Sequence, residues 1–377
     1  MTQDVTVSVV VPTRDEKDNI GELVARMADA LRGELWEAVF VDDSRDEATV
    51  EALKRTAARY PQVRFEHRAQ GDGLSGAVRR GFCLARGPLI AVMDADLQHP
   101  PEVLPSMLAQ LRSGADLVVG SRFVPGGSDG GLGVARRFVS LAAQVLIWAG
   151  IGRARCLSDP TSGCFAVRRD ILPADRLHAT GWKILLEVLV RAEPARVLEV
   201  PLVFSERRHG ESKMSLRQMV DLLRQIGELV WESSDDRRLY LFALVGASGV
   251  LLNMAVFLLL GRLGVSPEAG AFGSAVLAML SNFFLNDRFT YLDRAMGSRM
   301  ERGLRALLVQ AAGIAIDTAA VAALHLGQHW PGILANGFGI LAASVWNYGM
   351  FTTWVWRKSP AEAKPARAAL AREVFRS

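Results

Sequence analysis

Between Leu239 and Trp356 the chain carries four long apolar runs, at 239–261, 267–286, 304–326 and 332–356, broken only by short charged loops. Each is about as long as a helix needs to cross a hydrocarbon layer of roughly 30 Å, where backbone polar groups must be satisfied within the segment. The second run is the weakest, since it opens on Pro267 and Glu268 and closes on Asn282 and Asn286. Arg237 and Arg238 precede the first run, and Arg288, Arg294, Arg299, Arg302 and Arg305 crowd the connection between the second and third. Arg357 and Lys358 follow the fourth, while the remaining two loops hold only Arg262, His325 and His329. Cations are retained on the cytoplasmic side. Both termini are therefore expected there, in an integral protein of the cell membrane, with Trp330, Trp354 and Trp356 at the interfaces. Asn253, Asn282, Asp317 and Asn347 interrupt the runs. The asparagines suit hydrogen bonding between helices. A carboxylate at mid-span, as at Asp317, is costly unless paired or hydrated.

Residues 1–235 are different, mixing charged and apolar residues as a water-soluble domain does. The chain of 377 residues has a formal net charge of +4, too mild a surplus to point to nucleic acid as a partner. Cys83, Cys156 and Cys164 have no metal-ligand spacing and leave an odd thiol, as expected in a reducing compartment. The opening MTQDVTVSVVVPTRDE has no basic region before its apolar stretch and does not read as a secretory signal.

Apolar strands and amphipathic helices alternate in this half. VTVSVVVPT (5–13) and WEAVFVDD (36–43) read as buried strands, VRFEHR (63–68) as a short one, and PLIAVMDAD (88–96) as another. Helical spacing fills 18–32, 47–59, 73–85 and the segment after Pro100-Pro101. Alternation of this kind predicts a doubly wound, mostly parallel α/β sheet, in which ligands bind at the carboxyl ends of the strands.

The acids fall at those ends. Asp94-Ala95-Asp96-Leu97-Gln98 closes one apolar strand. On an extended chain alternate residues face the same way, so Asp94, Asp96 and Gln98 are expected to converge. Two carboxylates and an amide oxygen are hard donors suited to Mg²⁺ or Mn²⁺. The plain alternative is a solvated turn. Asp42-Asp43 and Pro12-Thr13-Arg14-Asp15-Glu16 close the first two strands, either as turn formers or as the wall of a nucleotide pocket. Gly120-Ser121-Arg122 precedes the glycine-rich VPGGSDGGLGVARR, where Arg122, Arg136 and Arg137 suit an anionic acceptor. Residues 138–151 are apolar but too short to span, so they are either a core helix or a helix lying on a bilayer. Asp159-Pro-Thr-Ser-Gly163 reads as a tight turn, and Lys183 with Glu187 as a surface pair one helical turn apart. The loop FSERRHGESK offers Arg207 and Lys213 to a diphosphate or to a membrane surface, and the amphipathic 214–231 leads into the first apolar run.

Taken together, VPTRDEKDNI, VDDSRDEAT, DADLQHPPE, GSRF, DPTSGCFAVRR, GWKILLE and FSERRHGESK resemble the inverting family-two glycosyltransferases of GT-A fold. More narrowly they are similar to dolichol- or polyprenol-phosphate mannose synthases. FALVGASGVLLN, NFFLNDRFTY and WNYGMFTTWVWR resemble a four-span GtrA-like membrane domain. The resemblance implies an α/β GT-A catalytic domain over 1–213 and amphipathic juxtamembrane helices over 214–236. A four-helix transmembrane domain over 237–358 and a cytoplasmic tail over 359–377 complete the expected organisation. It implies metal ligation by Asp94, Asp96 and Gln98. Donor contacts fall to Pro12, Asp15, Glu16, Asp42, Asp94, Ala95, Asp96, Arg207 and Lys213, and the acceptor phosphate to Arg122 and Arg136 or Arg137. Asp94, Asp96 and Arg122 are the implied catalytic set. Asp15 stands where the family has asparagine, and DDSRDEAT departs from the usual D-D-x-S-x-D-G-T, which touches the base contacts more than the metal.

The implied reaction carries a mannosyl group from GDP-mannose to dolichyl or polyprenyl phosphate, with inversion. UDP-glucose as donor is the alternative, and a homo-oligomer through the membrane domain is a further expectation. A processive polysaccharide synthase lacks support, because no Q-x-x-R-W motif follows the catalytic segment. A transporter with a degenerate enzyme head is disfavoured by the intact acids.

Overall fold

The computed structural model describes residues 4–131, 134–173, 176–178, 183–204, 216–294, 297–328 and 330–357. The chain forms two compact units, Met1–Ser233 and Ser234–Ser377.

The first unit is built on a seven-stranded sheet of order β3-β2-β1-β4-β6-β5-β7. Its strands are β1 (Val7–Thr13), β2 (Trp36–Asp42), β3 (Val63–His67), β4 (Leu89–Val92), β5 (Leu117–Ser121), β6 (Phe165–Arg168) and β7 (Val197–Pro201). Every residue of β1 and β2 is buried, which is why their sequences are continuous apolar runs rather than alternations. β6 alone runs antiparallel, between β4 and β5. The parallel strands therefore end along one edge, and β6 begins there. Helices α1 (Ile20–Ala30), α2 (Glu47–Arg59), α3 (Leu74–Leu84) and α4 (Leu104–Arg112) cover the sheet. Val7, Val9 and Val11 of β1 pack with Leu23 and Met27 on one face, while Val10 packs with Val78 on the other.

The short apolar segment forms α5 (Val134–Gly150), with one face in the core and one outward. Ala143 and Ile147 are buried in the core, while Phe138, Leu141 and Val145 are exposed. α6 (Ile184–Glu187) continues through a π-turn to Ala192, and α7 (Leu216–Glu232) packs against α5. Gly150 allows the close approach, since a Cβ there would lie 2.4 Å from a methyl of Ile226. α7 buries Leu222, Ile226 and Leu229 and exposes Val220, Leu223 and Trp231. Two packed helices thus each show an apolar face outward, a pattern suited to the boundary of a bilayer.

The second unit consists of α8 (Ser234–Arg262), α9 (Pro267–Leu285), α10 (Arg299–Val321) and α11 (Gly332–Met350). Among the described residues three helices are long and apolar enough to cross a membrane: Ser234–Arg262, Pro267–Thr290 and Arg299–His325. The sequence predicts four, with the second the weakest. It is α11, carrying Asn336 and Asn347, that falls outside the three, although helical structure runs on to Val355. Span two keeps enough apolar residues between its polar ends.

The two hairpins repeat one design. Asn282 of α9 sits against Gly249 of α8, where a Cβ would lie 2.3 Å from its Oδ1. At the matching positions Asn347 of α11 sits against Gly313 of α10, at 2.6 Å on the same measure. Four residues after each asparagine the helix loosens into a π-turn, Asn286–Thr290 in one hairpin and Phe351–Val355 in the other. The residues that follow, Tyr291 and Trp356, stack on each other at 4.6 Å with ring planes 4° apart. Each reaches back across the pair: Trp356 Nε1 donates to Asp287 Oδ1 at 3.0 Å, and Tyr291 Oη lies 3.0 Å from Thr352 Oγ1. Asp287 and Thr352 occupy equivalent places in their π-turns. This is the pattern of a pseudo-twofold relation. Asp317 packs on Gly339, where a Cβ would lie 2.2 Å from Oδ1. Small residues let polar side chains fit between closely packed spans.

A Gly313→Val substitution should therefore lower the thermal midpoint of the detergent-solubilised protein by several degrees, an overpacking cost of about 1–3 kcal/mol. Gly337→Val, where nothing lies within 4 Å, should leave it nearly unchanged. Equal midpoints for the two variants would contradict the seam.

Candidate active site

The common strand edge gathers the acids named in the sequence. β4 ends at Val92, and Asp94 follows on a backbone tied to β1 by the bond from Met93 N to Val10 O at 3.2 Å. The chain does not stay extended to Gln98, as expected. It turns at Ala95–Asp96, and Leu97 takes a left-handed conformation with φ 60°. Asp96 Oδ1 accepts the Gln98 backbone N–H at 3.1 Å, so the carboxylate itself shapes this turn. Strict alternation therefore does not aim the side chains of Asp94, Asp96 and Gln98. Ala95 and Asp96 are buried, and the Asp94 side chain is 34 % exposed. His99, also buried, holds its Nδ1 3.4 Å from Asp94 Oδ2 and packs edge-on against Phe204. Gly163 is required opposite: a Cβ there would stand 2.7 Å from Asp94 Oδ2. Among the described residues no three His, Cys, Asp or Glu side chains form a metal-type cluster.

Arg122, just past β5, forks onto Asp159 with Nε to Oδ2 at 2.6 Å and Nη2 to Oδ1 at 2.8 Å. Nη2 also reaches Thr161 Oγ1 at 2.9 Å. Burial pushes the Asp159 carboxyl up, but Arg122 outweighs it and holds the group below the usual carboxylate range. The DPTSG turn is thus anchored from beneath, and Glu199 fixes its start by accepting the backbone N–H groups of Ser158 and Asp159.

Lys183 is not the surface partner of Glu187 that helical spacing predicts. Its ammonium donates to the Thr161 carbonyl, within the fields of Asp94 and Asp159. Burial lowers its pKa to about 8, with the two carboxylates pulling the other way. The signal was available in the sequence: ILLEVLV, the stretch that follows, is buried throughout, so a lysine at its head points into the protein. Glu187 is buried too. It pairs with Arg191 and accepts the His178 backbone N–H at 2.8 Å.

At the first two strand ends, Asp42 is fully buried. Its Oδ1 accepts from Ser44 Oγ at 2.6 Å, and its Oδ2 lies 2.8 Å from His67 Nδ1. Ser44 Oγ in turn accepts the Asp15 N–H at 2.8 Å, and Asp15 has a left-handed φ of 61°. Glu16 accepts from Asn19 at 2.6 Å, and Pro12 lies in the buried body of β1. Arg137 forms an exposed fork with Asp129 at 2.7 and 3.0 Å. Arg207, Lys213 and the side chain of Arg136 lie outside the described residues. The structure thus brings Asp94, His99, Gly163, Asp159, Arg122 and Lys183 into one connected cluster, and Asp15, Asp42, Ser44 and His67 into another.

Residues 8–173 match the family model of glycosyl transferase family 2, and residues 241–356 that of the GtrA/DPMS transmembrane domain. A dolichol-phosphate mannosyltransferase of Pyrococcus furiosus is 37 % identical over 89 % of this chain and 95 % of its own length. This chain belongs to glycosyltransferase family 2. A dolichol-phosphate mannosyltransferase of Saccharomyces cerevisiae is 37 % identical over 59 % of this chain and 86 % of its own. An undecaprenyl-phosphate mannosyltransferase of Micrococcus luteus is 36 % identical over 55 % and 87 %. Glucosyl-3-phosphoglycerate synthase of Mycobacterium tuberculosis is a distant solved structure, at 18 % identity and a TM-score of 0.45 over 60 % of this chain and 78 % of its own. The protein is a glycosyltransferase with an integral membrane domain.

Glu187 gives this enzyme a pH dependence. Burial pushes its carboxyl up to about 7, against the pull of Arg191. A raised carboxyl pKa in the folded state means that the native form prefers the proton, so stability falls as pH rises from the unfolded carboxyl range through about 7. The thermal midpoint should drop between about pH 5 and 7.5 in the wild type and much less in Glu187→Gln. Parallel midpoint curves for the two proteins would remove Glu187 as the cause.

Proposed function

We propose that this glycosyltransferase moves a mannosyl group from GDP-mannose to a polyprenyl or dolichyl phosphate, inverting the anomeric centre. The observation that carries the reading is continuity. Similarity to a dolichol-phosphate mannosyltransferase runs through 89 % of the chain, catalytic and membrane parts together. A lipid acceptor is what a family-two transferase with its own membrane domain is suited to meet.

The acids at the end of β4 fit a hard divalent cation. Asp94 and Asp96 supply carboxylate oxygens, Gln98 an amide oxygen, and Gly163 leaves beside Asp94 the space that a Cβ would fill. Mg²⁺ or Mn²⁺ held there would lend positive charge to the diphosphate as it departs. Arg207 and Lys213 are proposed to neutralise the same diphosphate. Pro12, Asp15, Glu16, Asp42 and Ala95 are proposed around the nucleotide. Arg122, Arg136 and Arg137 are proposed on the acceptor side. The geometry supports an indirect part for Arg122, whose charge is already matched by Asp159. Lys183, within the fields of Asp94 and Asp159, joins this set as a cation for substrate phosphate.

The nucleophile is a phosphate oxygen, already anionic, so no strong general base is required. That oxygen forms the new bond to the anomeric carbon while the bond to the nucleoside diphosphate breaks on the opposite face. The protein's part is orientation and charge at fixed positions. The cation-rich flanks of the spans support placing the catalytic unit and both termini on the cytoplasmic side of the cell membrane.

Two measurements test this. Membranes holding the enzyme, given polyprenyl phosphate and either GDP-mannose or UDP-glucose, should form sugar-lipid from the mannosyl donor. Product only from UDP-glucose would replace the donor. Asp96→Ala should insert normally yet lose transfer by at least about a hundredfold, the scale of one lost electrostatic contribution to a transition state. Full activity in that variant would remove the metal role.

A further inference from the structure

Beyond β3 lies an ion-pair clamp that the sheet does not need. The pairing of β2 with β3 ends at Asp42 and His67. Arg68 comes next, and its backbone N–H donates to the Asp42 carbonyl at 2.8 Å. Its side chain then doubles back over the end of β2. Nε donates to Asp43 Oδ1 at 2.8 Å and Nη2 to Asp43 Oδ2 at 2.7 Å, a planar fork. Nη1 donates to Asp72 Oδ1 at 2.6 Å. The backbone of Gly71 closes over the same carboxylate so tightly that a Cβ there would lie 2.3 Å from Asp43 Cγ. Asp43 is tied on its other side as well, its N–H donating to the Thr13 carbonyl at 2.9 Å. The Arg68 side chain therefore ties the loop that follows β2 to the loop that follows β3, and Ser44 joins the first of these to the loop after β1 by accepting the Asp15 N–H.

The joined strand ends and loops hold Asp15, Asp42, Ser44 and His67, the polar groups at this end of the strand edge. Asp42 has both carboxylate oxygens engaged by Ser44 and His67. Its placement thus depends on where the backbone of residues 42–44 is held: by the Asp43 N–H on the Thr13 carbonyl, by the Arg68 N–H on the Asp42 carbonyl, and at the Asp43 side chain by the Arg68 fork. A lysine in place of Arg68 keeps the charge and loses the fork.

We propose that Arg68 is a positioning residue for the base and ribose of the donor, acting through Asp43 on the segment Asp42–Ser44. The assignment rests on the nucleotide-sugar reading above. It makes Arg68 a determinant of donor binding and nucleotide selectivity that leaves the acceptor and the chemical step alone.

The test is steady-state kinetics on the full-length enzyme, with GDP binding measured alongside. Arg68→Lys should raise the donor KM about tenfold, the scale of one lost charge-assisted hydrogen bond, with kcat and the acceptor KM unchanged. GDP should bind more weakly by the same factor, while inorganic pyrophosphate binds as before. Asp43→Ser should reproduce the effect, and the double variant should be no worse than either single one. A wild type that binds no GDP would sink the donor reading itself. A wild type that binds GDP, with an Arg68→Lys that binds it equally well, would sink this proposal. So would a fall in kcat that tracks a lowered thermal midpoint, because that marks a purely structural brace.

Discussion

A sheet covered on both faces leaves polar side chains only its edges. Every residue of β1 and β2 is buried, so a charge within them needs partners, as Glu37 has in Ser8 and Arg64, and the remaining acids of β2 and the chain after β1 and β4 stand where the strands stop. The order of the strands then does the gathering. Because β6 is reversed, the turn before it joins the ends of the parallel strands, and a lysine, an arginine and two aspartates from distant parts of the sequence meet there. The glycosyltransferase site is in this sense a by-product of a desolvation constraint: the same burial that stabilises the sheet concentrates the chemistry at one rim.

Concentrating charge out of water requires compensation. Asp159 is completely buried and remains a carboxylate because Arg122 forks onto it. Lys183 feels the desolvation more, and its affinity for the proton is reduced in spite of two nearby carboxylates. The contrast is one of geometry. A guanidinium meets both oxygens of its partner at hydrogen-bond distance, while the ammonium donates to the Thr161 carbonyl within the fields of two acids. Glu187 completes the series: pulled by Arg191 but buried deeper than the pair can offset, it favours the protonated form up to about neutrality.

Much of this was legible in the sequence. A continuous β-branched run marked β1, apolar runs marked β2 and β4, and the acids closing β2 and following β1 and β4 marked the rim. What stayed hidden depended on direction rather than type. Strand alternation carried Asp94, Asp96 and Gln98 onto one line, yet the Asp96 carboxylate caps its own turn and Leu97 goes left-handed. Helical spacing paired Lys183 with Glu187, yet both turn inward, Lys183 to the Thr161 carbonyl and Glu187 to Arg191 and the His178 N–H. In the membrane unit length was legible for all four helices, but asparagines that serve packing also dilute the apolar signal, and α11 lost it. The clamp at Arg68 had no local signature, since its partner lies on a neighbouring strand.

The two hairpins of the membrane unit have a consequence for how the enzyme can be studied. Tyr291 and Trp356 stack on the pseudo-axis, and each bonds to the other hairpin at equivalent places, but the acceptors differ: a carboxylate at Asp287, a hydroxyl at Thr352. One molecule therefore contains two versions of the same joint, at matching positions along matching helices. A change made at one version has its own internal control at the other, with solvent, detergent and helix register held in common. The two also differ in load, since Asp287 takes the Arg302 fork together with the indole while Thr352 meets the phenol.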